Sequence, residues 1–109
     1  MLDATPLDVS LNAIADPTRR AILGRLAEGE ARVTDLARPF AISLNSVSKH
    51  IRMLERADLV RRRVEGREHI LSLNPAGLDD AARWIEEQRR LWAWRLGRLD
   101  DILKEPTHG

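Results

Sequence analysis

Hydrophobic residues recur at helical spacing over most of this chain, and residues that start or stop helices separate the segments that carry the pattern. Thr5-Pro6 and Asp16-Pro17 each combine a capping side chain with a proline that fits the first turn of a helix. Gly29 and Pro39 end the second and third segments, because glycine supplies a left-handed stop and proline lacks a backbone N–H. The pattern predicts helices over residues 5–15, 17–27, 33–38 and 44–56.

The pattern changes after residue 58, where two short runs typical of strands replace the helical spacing. Strands are predicted at 59–64 and 68–73, and Gly66 between them can take the positive φ that a tight hairpin needs. Helical spacing returns after Asn74-Pro75 and continues to about residue 104. The order predicts a mostly α-helical fold with a small β-hairpin, in one domain over residues 1–109.

Composition fits a small soluble domain that shares part of its core with a partner. The chain has 109 residues, of which 43% are hydrophobic and 32% charged, and a domain of this size buries only a modest fraction of its surface. It has no cysteine, which excludes disulfides, thiolate metal sites and cysteine nucleophiles. No apolar run approaches the roughly 18 residues of a membrane span, so we expect a cytoplasmic protein without a membrane partner.

Positive charge is concentrated in the middle of the chain. The net charge is only +1, but residues 32–69 carry nine basic and five acidic side chains, while both flanking segments are slightly negative. A basic zone in a nearly neutral protein is a candidate surface for a polyanion. On charge alone, this zone could equally be an ordinary solvated surface without a partner.

The fourth helix has the most informative polar face. Its apolar stripe, expected to face the core, consists of Leu44, Val47, Ile51 and Leu54. Asparagine can pair with adenine, lysine can reach guanine, and serine can contact either strand of DNA. The predicted base-reading residues are Asn45, Ser46, Ser48 and Lys49, with His50 and Arg52 nearer the DNA backbone. The alternative is an amphipathic helix with a solvated polar face.

The predicted hairpin carries an unusual number of cations. The expected wing contacts are Arg61, Arg62, Arg63, Arg67 and His69. Two closely spaced helices followed by such a hairpin is the order of a winged helix-turn-helix, in which the second helix enters the major groove and the hairpin contacts phosphates or the minor groove. We expect the helix-turn-helix over residues 33–56 and the wing over 59–73.

The last helix has a wider apolar surface than one small domain needs. All three tryptophans lie on it, and tryptophan is enriched at the centres of interfaces. We therefore predict that residues 1–15 and 75–104 are dimerisation helices. The expected homodimer contacts are Leu11, Leu91, Trp92, Leu96, Leu99 and Leu103. Two alternatives are that the tryptophans fill the core of the single chain or line a ligand pocket.

Catalysis has little support in the sequence. No histidine has an obvious nucleophile partner, and no glycine-rich phosphate loop is present. We expect no catalytic residue. A winged-helix module that binds other proteins is the alternative to a DNA-binding regulator, although such a module has no need for both a base-reading face and an arginine-rich wing.

Three segments resemble the ArsR/SmtB family of transcriptional repressors. They are the helix start at 15–23, the helix at 43–54, and Ala57-Asp58-Leu59-Val60 with the arginines that follow. The resemblance covers about residues 8–75 and implies a dimeric repressor that binds double-stranded DNA and releases its operator on a signal. Two-fold symmetry implies an inverted-repeat operator.

The metal-sensing role of the family is not expected here. The family's metal sensors carry a cysteine pair on the helix before the recognition helix, whereas residues 33–38 of this chain contain no thiolate. A second family site uses aspartate and histidine along the C-terminal helices, and this chain has no histidine there before His108. We expect no metal site and no cofactor. An apolar ligand, a partner protein and a change in protein level remain open as the effector.

Overall fold

Residues 5–104, the part of the chain that the computed structural model describes, form five α-helices and a three-stranded antiparallel sheet. The elements are α1 Pro6–Ile14, α2 Pro17–Leu26, β1 Ala31–Arg32, α3 Val33–Ala37, α4 Leu44–Arg56, β2 Val60–Glu65, β3 Glu68–Leu73, a 3₁₀ turn Pro75–Leu78 and α5 Asp79–Lys104. The prediction of a mostly helical winged helix-turn-helix fold is confirmed. The outermost parts of the predicted domain, 1–4 and 105–109, lie outside the described residues.

Side-chain caps explain why the helix starts could be predicted. The Thr5 hydroxyl accepts a hydrogen bond from the Asp8 N–H at 3.1 Å, and the Asp8 carboxylate accepts one from the Thr5 N–H at 3.0 Å. The Asp16 carboxylate accepts from the Arg19 N–H, and the Ser43 hydroxyl accepts from the Ser46 N–H. Each cap satisfies a backbone donor that has no partner within its helix, which stabilises the helix by about 1 kcal/mol.

The sheet contains one strand more than the predicted hairpin. The strand order is β1-β3-β2, and β1 pairs Ala31 with Leu71. A strand of two residues is too short to show an alternating pattern, so the sequence did not indicate it. The hairpin itself is as predicted: Glu65 pairs with Glu68, and Gly66 has a φ of 61° in the two-residue turn between them.

The core lies between α2, α3, α4 and the base of the hairpin. Its largest fully buried side chains are Ile22, Leu36, Val47, Ile51, Leu54, Leu59 and Leu71. The prediction that Leu44 belongs to the buried stripe of α4 is wrong, because Leu44 is 51% exposed. It is the first residue of α4 and borders an open groove beside the hairpin.

A close backbone approach joins the 3₁₀ turn to the segment between α4 and β2. Gly77 lies so near the Asp58 carbonyl that a Cβ at this position would clash with it. The Asn74 amide donates to the same Asp58 oxygen at 2.7 Å, and the Ser10 hydroxyl donates to the Gly77 carbonyl at 3.2 Å. These contacts hold the 3₁₀ turn against both α1 and the start of the hairpin, and so fix where α5 leaves the core.

Helix α5 continues far beyond the core. Ala81 in its first turn is buried, but every residue from Arg89 to Leu103 is exposed. Trp84, Trp92 and Trp94 are 42%, 57% and 59% exposed, so they do not fill the core of the single chain. None of the helices between residues 5 and 104 is both long and apolar enough to cross a membrane.

Candidate nucleic-acid interface

One row of polar side chains runs along the face of α4 that points away from the core. Since Val47, Ile51 and Leu54 are buried, the opposite face carries four exposed residues at helical spacing. They are Asn45, Lys49, Arg52 and Arg56. Within the described part of the chain, none of these four side chains makes a hydrogen bond or an ion pair to the protein. The row is therefore available for an external partner.

The two serines of the predicted base-reading set lie at the margins of this row. Ser46 is engaged in the helix cap, where its hydroxyl accepts from the Ser43 hydroxyl at 3.0 Å. Ser48 lies on the flank that faces the wing and borders the groove there. The structure thus brings Asn45 and Lys49 together on the outward face of α4, with Ser46 and Ser48 on either side.

His50 lies on the flank of α4 that faces α2. Its Nδ1 lies 3.2 Å from Nη1 of Arg19 and 3.8 Å from the Asp16 carboxylate. Arg19 is only 8% exposed, and sequence reasoning missed it because arginine is rarely buried. A usable signal existed: Arg19 precedes Ile22 and Leu26 by three and seven residues, which places it on the buried face of α2.

Strand alternation divides the arginines of the wing between two faces. Arg62 faces α4, where its guanidinium donates to both carboxylate oxygens of Glu55 and approaches Nδ1 of His69 at 3.1 Å. Arg63 faces the other way and donates to Glu30 and to Glu65.

The acid pairing of Arg63 changes its electrostatics. Hydrogen bonds and charge from Glu30 and Glu65 raise the pKa of Arg63 further above its usual range. The same contact holds the pKa of Glu30 below its usual value. Among the described residues, Arg61 and Arg67 are the wing arginines with no acidic partner.

A groove of about 330 Å³ separates the first half of α4 from the wing. The residues that border it include Arg32, Thr34, Leu44, Ser48, Arg62, Arg67 and His69. Three guanidinium groups and two hydroxyls line it, together with one carboxylate, Glu68. This composition suits a nucleic-acid backbone, because guanidinium and hydroxyl groups are common phosphate donors.

The described residues form no cluster of metal ligands at this surface. No three histidine or acidic side chains between residues 5 and 104 come together in an arrangement that could hold a metal ion. A short bracing helix, an outward polar helix and a cationic hairpin beside it define the class of winged helix-turn-helix proteins.

Comparisons with known proteins agree with this class. Residues 14–63 match the helix-turn-helix domain family. The chain is 44% identical over 71 residues to the transcriptional regulator Rv2034 of Mycobacterium tuberculosis. The aligned segment covers 65% of this chain and 66% of that protein. It is 38% identical over 73 residues to the transcriptional repressor SdpR of Bacillus subtilis, covering 67% of this chain and 81% of SdpR.

Similar solved structures identify the family within this class. The ArsR-family transcriptional regulator RHA00566 superposes with a TM-score of 0.77 at 40% identity, over 81% of this chain and 91% of that one. A homodimeric winged helix-turn-helix DNA-binding domain from Mycobacterium bovis, Mb0332, superposes with a TM-score of 0.61 at 26% identity, over 95% and 87%. This chain belongs to the ArsR family of transcriptional regulators. The predicted family and its role in transcription are confirmed.

Proposed function

We propose that this chain acts as a homodimeric repressor that binds an operator of two inverted half-sites, one for each α4. The observation that carries the proposal is the row of Asn45, Lys49, Arg52 and Arg56, which has no protein partner among the described residues. It lies on the helix whose wing-facing flank, with Leu44 and Ser48, borders the cationic groove. The repressor SdpR and the homodimeric domain of Mycobacterium bovis are similar proteins whose described roles support it.

The side chains of the outward face of α4 and of its flanks have roles that suit their chemistry. Asn45 can pair with an adenine edge and Lys49 with guanine acceptors, while Ser48 reaches bases from the side of the wing. Ser46 keeps one hydroxyl proton for a base while it accepts from Ser43. Arg52 contacts the DNA backbone, and His50 lies nearer the backbone than the bases.

The wing and the groove supply affinity that does not depend on sequence. Arg61 and Arg67 contact phosphates or the minor groove, because neither guanidinium is occupied by an acidic side chain of the described chain. Arg62, Arg63 and His69 contribute less to DNA binding, since ion pairs or hydrogen bonds within the protein already engage them.

The exposed apolar stripe of α5 is the proposed dimer interface, together with α1. On α5, Leu91, Trp92, Leu96, Leu99 and Leu103 are between 42% and 76% exposed in the single chain, and Leu11 on α1 is partly buried. Exposed apolar patches of this kind mark interfaces in soluble proteins. Trp94 lies off the stripe, where the Arg98 guanidinium is 5.0 Å from the centre of its ring.

A binding titration against two DNA pools tests the proposal. A duplex selected from a random library by the protein itself is compared with an unselected duplex, over a series of salt concentrations. We expect two chains per selected duplex, an affinity at least about a thousandfold above that for unselected DNA, and a steep fall with salt. Equal affinity for both duplexes would contradict sequence-specific repression. Failure to bind any duplex would favour a protein-binding module.

A further inference from the structure

The buried guanidinium of Arg19 links three helices. Its Nε donates to the Ala13 carbonyl at 2.7 Å, and its Nη2 donates to the Asn12 carbonyl at 2.9 Å, both at the end of α1. Its Nη1 reaches α4, 3.2 Å from Nδ1 of His50 and 3.3 Å from the sulfur of Met53. One side chain on α2 therefore binds the end of α1 and the middle of α4 together.

The contact to His50 has a defined polarity. A guanidinium can only donate, so Nδ1 of His50 must accept and its ring proton must lie on Nε2. The Asp16 carboxylate lies near both groups, since it accepts from the Arg19 N–H and lies 3.8 Å from His50. Each of the three guanidinium nitrogens of Arg19 contacts a partner on α1 or α4.

Arg19 lies beside an open groove between α1 and α4, where it adds polar contacts to the direct packing of the two helices. The groove has a volume of about 340 Å³ and is bordered by Asp8, Val9, Asn12 and Ala13 of α1 and by Met53 and Arg56 of α4. Arg19 contacts three of these six residues. A planar guanidinium holds several acceptors in a fixed geometry, which an apolar contact does not.

We propose that Arg19 is a positioning residue that fixes the recognition helix α4 against the dimerisation helix α1, and so sets the distance between the two recognition helices of the dimer. The proposal rests on the proposed function, in which α1 lies at the dimer interface. The two recognition helices must match half-sites about one helical turn or a multiple of it apart. If the contact between α1 and α4 is weakened, the dimer should accept a wider range of half-site spacings.

The test compares Arg19→Met with Arg20→Met. Arg20 is the matched control, because its guanidinium also donates to a carbonyl at the end of α1, that of Ile14 at 2.9 Å, but it is exposed and makes no hydrogen bond to the described residues of α4. Each protein is titrated with the duplex selected by the unchanged protein, with the same duplex carrying one added central base pair, and with unselected DNA. The added pair rotates one half-site by about 35° relative to the other.

We expect the unchanged protein and Arg20→Met to bind the lengthened duplex at least about tenfold more weakly than the selected one. Arg19→Met should lose about tenfold on the selected duplex but bind both spacings within about threefold of each other, with its affinity for unselected DNA unchanged. Sedimentation should show it still dimeric.

Two results would overturn the role of Arg19. One is an equal loss on all three duplexes with the spacing preference intact, which indicates a general effect on stability. The other concerns the case in which Arg19→Met does not fold. Arg19→Lys, which keeps the charge but lacks the planar fork, is then tested, and the role is overturned if this variant shows the same spacing preference as the unchanged protein. If the unchanged protein selects no duplex at all, the proposed function fails instead, and the role of Arg19 falls with it.

Discussion

Arg62 on the wing and Glu55 on α4 are joined by two parallel hydrogen bonds, of 3.3 Å between Nε and Oε2 and 2.7 Å between Nη2 and Oε1. Their side chains are 27% and 29% exposed, so water screens the pair only in part. Such a pair is worth up to about 1 kcal/mol. Because it connects the hairpin to α4, it helps to hold the two elements in a fixed relative orientation.

The division of the wing arginines predicts unequal salt dependences. Arg67→Ala should lower the slope of log affinity against log salt by about one unit per subunit, because it removes an unpaired cation from the proposed DNA-binding surface of the protein. Arg63→Ala is the matched control and should change the slope less, since Glu30 and Glu65 already neutralise that guanidinium. Titrations of unselected duplex at four or more salt concentrations measure both. Equal slopes for the two variants would argue against Arg67 as the phosphate contact.

Asn45→Ala tests base reading by α4. The change should weaken binding to the selected duplex by about 1–3 kcal/mol and relax the preference for one base pair, because the amide can bond two atoms of an adenine edge. Binding to unselected duplex should hardly change. Repeating the library selection with the variant identifies the relaxed position. An equal loss on selected and unselected DNA would remove Asn45 from the base-reading set.

Leu99→Glu tests the interface on α5. A carboxylate within the apolar stripe should split the dimer, because burying an unpaired charge is costly, and operator binding should be lost although α4 is unchanged. Gly97→Glu is the control: it adds the same charge on the opposite side of α5, where a Cβ meets no atom within 4 Å. Sedimentation at micromolar concentration should find monomers of the first variant and dimers of the second. A dimeric Leu99→Glu protein would contradict this interface.

Acid sensitivity should depend in part on Asp16. The Arg19 N–H, followed by the charge of the Arg19 guanidinium, holds the pKa of the Asp16 carboxyl below its usual value. A lowered pKa in the folded state adds stability above the unfolded value, near pH 4, and this stability is lost as the pH falls through the folded value.

Asp16→Ser keeps a capping hydroxyl but removes the titration. Its deficit in unfolding free energy should therefore be largest near pH 7 and shrink between about pH 5 and pH 2. Urea unfolding at fixed protein concentration across this range measures it. A deficit that stays constant with pH would mean that the charge of Asp16 contributes nothing.

Local patterns predicted the helices because each depends on residues close together in the chain. Thr5, Asp16 and Ser43 cap the N–H groups three positions on, so the starts of α1, α2 and α4 follow from sequence. The amphipathic period of α4 likewise placed Asn45 and Lys49 on the outward face. Leu44 was misassigned because a period describes a face of a helix and does not show whether another element covers its first turn.

The helices, the hairpin, the polar face of α4 and the family motifs could be predicted from the sequence, since all of these are local in the chain. Which arginines pair with acidic side chains depends on the tertiary structure. Arg62 and Arg63 are adjacent in sequence, yet the first pairs with Glu55 and the second with Glu30, seven and thirty-three residues away. Arg19 meets His50 across thirty-one residues. Such partners are set by how the elements pack, because side chains distant in the chain become neighbours only when the core brings their helices and strands together.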